Sequence, residues 1–334
     1  MELEDKKKAL EEIRKNYPNL KPGKDVPETL TVIPTGSLSL DLATGVGGYP
    51  RGCLVDIFGR ESSGKSLLSL LAIRETQKLG GLAIVIDAER NYSKSRHWMK
   101  LHGIKVEDVE FHEPATGEEA FDLIYDVAKA NAADLIVIDS NTALRPQANL
   151  SRDLEQGPKI GALALMMSIG LNKITPTIDD SKIVCIFINQ LREIIDLTRG
   201  MGVLASEADK ATGGRGLKFY ASLRIGVKKI SNSEILNDQK EIIGHRIRAK
   251  IFKNKVAPPL KLAEFDLYYN KGVDNDSELF DVGLSLGSIK NEGHTYFIGD
   301  KRAVGLAKCK SLIKEDLDVK KFLTEEIEKR IRRD

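Results

Sequence analysis

The sequence predicts an α/β fold: a mostly parallel, twisted sheet flanked by helices, preceded by an N-terminal helix and followed by a small C-terminal α+β domain. Three observations carry this. From Thr31 onward, short runs rich in Ile, Val and Leu alternate with helix-length stretches, the pattern of parallel strands covered on both faces. A glycine-rich loop, Gly59-Arg60-Glu61-Ser62-Ser63-Gly64-Lys65-Ser66, joins one of these strands directly to a helix. After about residue 270, Gly272, Gly283, Gly287, Gly293, Gly299 and Gly305 punctuate short elements, a change of character that marks a second domain.

Residues 1–20 read as an amphipathic helix, with Leu3, Ala9, Leu10, Ile13 and Tyr17 near helical spacing. Two prolines and a glycine make Lys21–Glu28 a linker, and the helix could fold back on its own domain or dock on another copy. The core then reads as Leu54–Phe58 strand, Lys65–Leu79 helix, Leu82–Asp87 strand, Glu118–Asn131 helix, Leu135–Asp139 strand, Gly161–Ile174 helix and Ile183–Asn189 strand. Residues 217–230 and 246–269 are strand-like with little helix between them and predict an antiparallel addition. Arg192–Thr212 reads as a long mobile loop, and loops of that length in compact domains are usually functional or disordered. A charged helix, Val319–Arg332, closes the chain. The predicted organisation is residues 1–30 as an N-terminal oligomerisation helix and linker, 31–269 as the core, and 270–334 as the C-terminal domain.

The totals exclude several classes. Hydrophobic residues make up 41% of the chain and charged residues 30%, an ordinary globular composition. A net charge of +2 does not announce a nucleic-acid partner, which would need a local basic patch. No apolar run is long enough to span a membrane, and the charged N-terminus lacks the apolar core of a secretion signal. The three cysteines, Cys53, Cys185 and Cys309, have no metal-site spacing; free, buried thiols and a reducing cytoplasmic location are expected.

The glycine-rich loop sits in the strand–loop–helix context that a phosphate loop requires. Glycines let successive backbone N–H groups face phosphate oxygens, and the helix N-terminus adds partial positive charge. Lys65 is placed to reach β- and γ-phosphates, Ser66 to ligate Mg²⁺, and Leu67 to follow them into the helix, so ATP with Mg²⁺ is the expected ligand pair. Asp139 ends a strand, where ligands of parallel sheets bind, and would hold the magnesium. Glu89 lies where a group orienting the attacking water belongs; Asp87 is its rival, and a solvated surface acid is the plain alternative. Gln190 ends another strand and leads into the 192–212 loop, a place from which a neutral amide could sense the γ-phosphate, unless it is an ordinary polar strand end. Lys253 and Lys255, read from the residues alone, belong to a solvated basic strand.

These motifs, with Ile33-Pro-Thr-Gly-Ser-Leu-Ser-Leu-Asp41, Ile86-Asp-Ala-Glu89, Phe187-Ile-Asn-Gln-Leu-Arg-Glu193, Thr212-Gly-Gly214, Leu217-Lys-Phe-Tyr-Ala-Ser222 and Lys253-Asn-Lys-Val-Ala-Pro-Pro259, resemble the RecA-family homologous recombinases of bacteria and phages over nearly the whole chain. The resemblance implies a RecA-like core and a DNA-dependent ATPase that forms filaments on single-stranded DNA, pairs it with homologous duplex and exchanges strands in recombinational repair and the SOS response. It gives Glu89 the role of catalytic glutamate and Gln190 that of γ-phosphate switch. It implies that Lys253 and Lys255 reach a neighbour's ATP, that Phe219 is an interface aromatic, and that the first helix docks on the adjacent subunit. DNA would meet two loops, about 155–164 and 194–211, with Arg192, Arg199, Lys210, Gly213, Gly214 and Arg215 as contacts.

The sequence departs from the family at several points. Leu165 and Asn172 stand where arginines usually face the DNA, and Arg215 where an asparagine is usual. The family places an aromatic over the adenine within Arg90–Met99, where Tyr92, His97 and Trp98 are all candidates. The final Lys329-Arg-Ile-Arg-Arg-Asp334 replaces the usual acidic tail, which predicts weaker restraint on duplex DNA. Two other readings share the core: a ring helicase, and a filament scaffold that promotes cleavage of a self-cleaving repressor. The Thr212–Gly214 and Lys253–Pro259 stretches favour the recombinase.

Overall fold

The computed structural model describes residues 3–17, 19–23, 30–92, 94–150, 157, 159–191 and 216–331. The chain divides into two compact units, Met1–Thr31 and Val32–Asp334. In the first, helix α1 (Leu3–Asn16) carries Glu4 and Asp5 in its first turn and Arg14 and Lys15 in its last, charges that complement the helix dipole. Leu3, Leu10, Ile13 and Tyr17 are all exposed.

The second unit is built on a nine-stranded sheet. Its parallel part runs β8 (Leu223–Leu236), β3 (Leu54–Gly59), β7 (Val184–Gln190), β6 (Leu135–Asp139), β4 (Ala83–Asp87) and β5 (Val109–His112). The antiparallel part continues from β8 through β9 (Ile242–Asn254), β10 (Leu262–Tyr268) and β11 (Gly272–Val273). The central strands are apolar throughout because both faces are covered. Val55, Ile57, Val85, Val137 and Ile186 pack with helix α3 (Lys65–Lys78) on one face. Leu54, Ile84, Ile86, Ile138 and Phe187 pack on the other with α5 (Gly117–Ala130), α6 (Ala162–Ser181) and α7 (Gly216–Tyr220).

Two elements differ from the sequence expectation. Residues 217–220, read as strand, form α7, because Leu217 turns into the core beneath α6. Helix α6 continues past Pro176 to Ser181, since the fully buried Ile174 and Ile178 anchor it on both sides of the proline. Cys185 and Cys309 are buried, whereas Cys53 is only half-buried.

The short helices α2 (Leu38–Thr44) and α4 (Arg96–Leu101) and a two-stranded ribbon of β1 (Val32–Ile33) and β2 (Tyr49–Pro50) complete the core. The C-terminal part holds α8 (Asn275–Ser285), the antiparallel strands β12 (Ile289–Glu292), β13 (Thr295–Ile298) and β14 (Lys301–Val304), α9 (Leu306–Glu315) and α10 (Leu317–Ile331). They share an apolar cluster of their own, against which Leu38 and Leu42 of α2 pack. Glu278 of α8 holds the start of α2: its carboxylate accepts from Ser37 Oγ at 2.6 Å, Leu38 N at 2.7 Å and Ser39 N at 3.3 Å. Among the described residues, no helix is long and apolar enough to cross a membrane.

Candidate nucleotide site and its counterpart across the sheet

Gly59, Asp87, Asp139 and Gln190 all end parallel strands on the same edge of the sheet, with Gly59 opposite Gln190 and Asp87 opposite Asp139. The loop between β3 and α3 is shaped by its glycines. Gly64 adopts φ +96, and a Cβ there would lie 2.7 Å from Leu267 Cδ2; one on Gly59 would lie 2.3 Å from the Val227 carbonyl. A side chain at Gly59 would collide with backbone, and one at Gly64 would hold a strained backbone conformation. Lys65 begins α3 and is buried; its ammonium donates to the Arg60 carbonyl at 2.7 Å. Burial lowers its pKa, opposed by the nearby Asp139, Glu89 and Glu61. The Ser63 hydroxyl is buried inside the loop without a hydrogen-bond partner among the described residues.

Ser66 Oγ donates to Asp139 Oδ2 at 2.8 Å, and the Tyr92 hydroxyl donates to the same oxygen at 3.1 Å. Burial pushes Asp139 up to about 6, with the Ser66 bond opposing the shift and Glu89 adding to it. Asp87 is fully engaged: its two oxygens accept the backbone N–H groups of Asn91 and Tyr92 at 3.0 and 2.7 Å and so pin the turn after β4. Glu89, by contrast, is only half-buried. Its Oε1 accepts from Ser140 Oγ at 2.5 Å and from Gln190 Nε2 at 2.9 Å, and its Oε2 accepts from Asn91 Nδ2 at 3.3 Å. Glu89, Gln190, Ser140, Asp139, Ser66 and Lys65 thus form one connected constellation.

A cavity of about 300 Å³ opens beside the loop, lined by Ser62–Leu67, Trp98, Lys229, His245, Ile247, Leu267 and Tyr269. Trp98 Nε1 donates to the Tyr269 carbonyl at 2.9 Å, and the Tyr269 hydroxyl meets His245 Nδ1 at 2.6 Å. Of the three aromatic candidates, Trp98 lines this cavity, Tyr92 is buried on Asp139 and Ser69, and His97 is exposed. The donor set fits a nucleotide carrying a divalent ion. The loop amides, the unpartnered Ser63 hydroxyl and Lys65 suit phosphate oxygens, and a hydroxyl beside a carboxylate suits a hard cation. Among the described residues no three His, Cys, Asp or Glu side chains gather into a protein-only metal cage, so Mg²⁺ here would take its remaining ligands from phosphates and water.

Lys253, Lys255 and Phe219 lie elsewhere. In the ladder β3–β8–β9, Asp56 pairs with Arg224, and Arg224 pairs with Lys253. Gly59, where the loop starts, lies three positions beyond Asp56 along β3. The offset is roughly 10 Å along the strands and roughly 10 Å across them. The lysines therefore cannot serve the loop of their own chain. Lys253 Nζ instead donates to the carbonyls of Lys218 and Phe219 at 2.9 and 2.8 Å. Burial, with Lys255 and Arg224 nearby, lowers its pKa to about 8. Phe219 is 66% exposed and Lys255 is exposed.

A family model described as the RecA N-terminal domain matches residues 4–274. Three bacterial proteins named Protein RecA agree over almost the full length. That of Porphyromonas gingivalis is 41% identical over 97% of this chain and 93% of its own. That of Bacteroides thetaiotaomicron is 40% identical over 96% and 93%. That of Saccharopolyspora erythraea is 39% identical over 98% and 92%. The chain belongs to the RecA family. The crystal structure of the RadB recombinase shares its fold, with a TM-score of 0.52 over 73% of this chain and 99% of that one at 19% identity.

The structure of this RecA-family chain also reveals residues that sequence reasoning missed. Arg60, Lys228, Lys229 and Arg248 line a groove running from the phosphate loop past Leu191, and Lys250 lines the cavity beside it. The signal was present as closely spaced basic residues on two strands, but only their pairing in β8 and β9 gathers them on one surface. Trp98 and Tyr269 likewise come together only through the fold. Of the first expected DNA loop, residues 155, 156 and 158 lie outside the described residues; Ile160 is fully exposed, and Leu165 and Ile169 of α6, 64% and 61% exposed, form an apolar patch with it beside Lys159 and Lys173. The contacts expected at Arg192, Arg199, Lys210, Gly213, Gly214 and Arg215, and the loop 194–211, lie outside the described residues.

Proposed function

We propose that this chain is a cytoplasmic DNA-dependent ATPase that assembles head to tail on single-stranded DNA, pairs it with homologous duplex and exchanges strands. The observation that carries the reading is the division of the site. The phosphate loop with Glu89, Asp139 and Gln190 lies at one end of the sheet, while Lys253, Lys255 and Phe219 lie at the other. A site split this way is completed by a second copy.

In this reading the loop amides and Lys65 hold the β- and γ-phosphates, with the Lys65 ammonium exchanging the Arg60 carbonyl for phosphate oxygens. Trp98 and Tyr269 flank the base. Ser66 and Asp139 hold Mg²⁺, which would neutralise charge on the β- and γ-phosphoryl oxygens. Glu89 orients the attacking water and takes its proton, its carboxylate kept in place by Ser140 once Gln190 has turned to the γ-phosphate. Gln190 precedes Leu191 and the 192–215 segment, so exchanging Glu89 for the γ-phosphate would transmit nucleotide state toward DNA. Lys253 and Lys255 of the adjacent subunit stabilise charge on the transferring phosphoryl group. The groove of Lys228, Lys229 and Lys250, beside Arg248 held by Glu264 at 2.5 Å, suits the phosphates of a second DNA molecule without regard to sequence. Residues 1–30 would act as the docking helix, 31–269 as the ATPase core and 270–334 as a C-terminal domain.

The test is ATP hydrolysis with and without single-stranded DNA, together with strand exchange between circular single strands and linear duplex, for the wild type, Lys65→Ala and Glu89→Gln. The wild type is expected to show DNA-stimulated phosphate release and joint molecules, Lys65→Ala to lose both, and Glu89→Gln to lose phosphate release while holding ATP in persistent filaments. A wild type that lacks both activities refutes the reading.

A further inference from the structure

Lys253 has two engagements that exclude each other. We infer that it is a two-position lysine: it caps the C-terminus of α7 in its own protomer and leaves that cap to reach the nucleotide of the adjacent subunit. This rests on the reading of Lys253 as a residue supplied in trans.

Helix α7 is one turn long, with Ala221 N donating to the Leu217 carbonyl at 2.9 Å. A helix this short does not hold itself, and its last carbonyls have no partners within the helix. Lys253 supplies them, at 2.9 Å to Lys218 and 2.8 Å to Phe219. A cation at a helix C-terminus is favourable. Yet the cap is not a comfortable place for this ammonium. Arg224, its neighbour in the β8–β9 register, is buried on Asp56 at 2.7 Å and keeps a fixed positive charge beside it. Lys255 adds another, and burial removes water. Two neutral carbonyls in such surroundings are weaker acceptors than phosphate oxygens. A nucleotide brought against this edge by a second copy would therefore draw the ammonium away.

The consequence falls on α7. It carries the exposed Phe219, buries Leu217 beneath α6 and begins at residue 216, directly after the 192–215 segment. Removing Lys253 loosens the last turn, so the occupancy of the neighbour's site is read at Phe219 and at the start of α7.

Hydrogen exchange of the 216–222 peptide tests this in the full-length protein. Without nucleotide or DNA, Lys253→Met is expected to exchange there about threefold to tenfold faster than the wild type, as loss of a charged cap implies. Lys253→Arg, which keeps the cation, should stay near wild type. With single-stranded DNA and a non-hydrolysable ATP analogue, the gap between wild type and Lys253→Met should close, because the wild-type lysine has left. A gap that persists in the filament, or is absent from the free protein, overturns the inference; if Lys253→Met does not fold, Lys253→Gln is read by the same criteria. Unchanged ATP hydrolysis by Lys253→Met would instead defeat the trans reading itself. Lost hydrolysis with a persistent gap would leave that reading standing and remove only the second position.

Discussion

Glu89 takes two donors on one oxygen, Ser140 at 2.5 Å and Gln190 at 2.9 Å, and this fixes the orientation of its carboxylate. Glu89→Gln keeps the shape and loses the charge. It is expected to bind ATP as the wild type does, to form persistent filaments, and to lose at least about 100-fold in kcat, measured by nucleotide titration and steady-state phosphate release. A second residue-scale outcome concerns Asp41, buried on the Thr35 amide at 2.7 Å, where burial pushes its pKa up to about 8. The folded protein keeps the Asp41 proton at pH values where the unfolded chain has lost it. Stability from this group is therefore full at low pH and declines as pH rises from about 4 to about 8. Glu278, also raised by burial, acts in the same direction, so the difference between proteins is the useful quantity. Asp41→Asn should gain on the wild type by on the order of a few kcal/mol between pH 5 and pH 8, read from urea midpoints; a constant difference would contradict the assignment.

At the scale of elements, the phosphate loop depends on its backbone. Gly64→Ala would force a Cβ to 2.7 Å from Leu267 at φ +96, a cost of about 1–3 kcal/mol. A lower thermal midpoint and weaker ATP binding are expected together, because the strained loop is also the phosphate cradle. The parallel strands and this loop were legible in the sequence because their signals are local: a run of apolar residues, then glycines, then a helix. Signals that need tertiary partners were not. Pro176 should have ended α6, but Thr175 Oγ1 donates to the Leu171 carbonyl at 2.6 Å and Ile178 is fully buried. Leu217-Lys-Phe-Tyr220 reads as strand by composition, and burial of Leu217 under α6 decides for helix. In the candidate site, the meeting of Lys65, Ser66 and Asp139 was readable from motif and position. Preferring Glu89 to Asp87 as the proposed acid rests on the family resemblance and on the two backbone amides that occupy Asp87. The joining of Trp98 to Tyr269, and of Lys228 to Arg248, needed the fold.

The nine-stranded sheet within residues 32–334 carries different chemistry at its two ends, and the proposed split site calls for a head-to-tail interface, which closes into a ring or continues as a helix. With a net charge of +2, attraction to DNA must come from local basic surfaces rather than from total charge, so affinity is expected to fall with salt in proportion to the few phosphates they neutralise. The central claim is that loop and lysines act on one nucleotide from two subunits. Its most direct test mixes Glu89→Gln subunits, which keep the lysines, with Lys253→Met/Lys255→Met subunits, which keep Glu89. Each alone should be inactive on single-stranded DNA. Mixed in equal amounts, about a quarter of the head-to-tail interfaces would pair an intact glutamate with intact lysines, and ATP hydrolysis should return to about that fraction of the wild type. Mixed filaments that stay inactive, or a lysine variant that is active alone, would contradict the account.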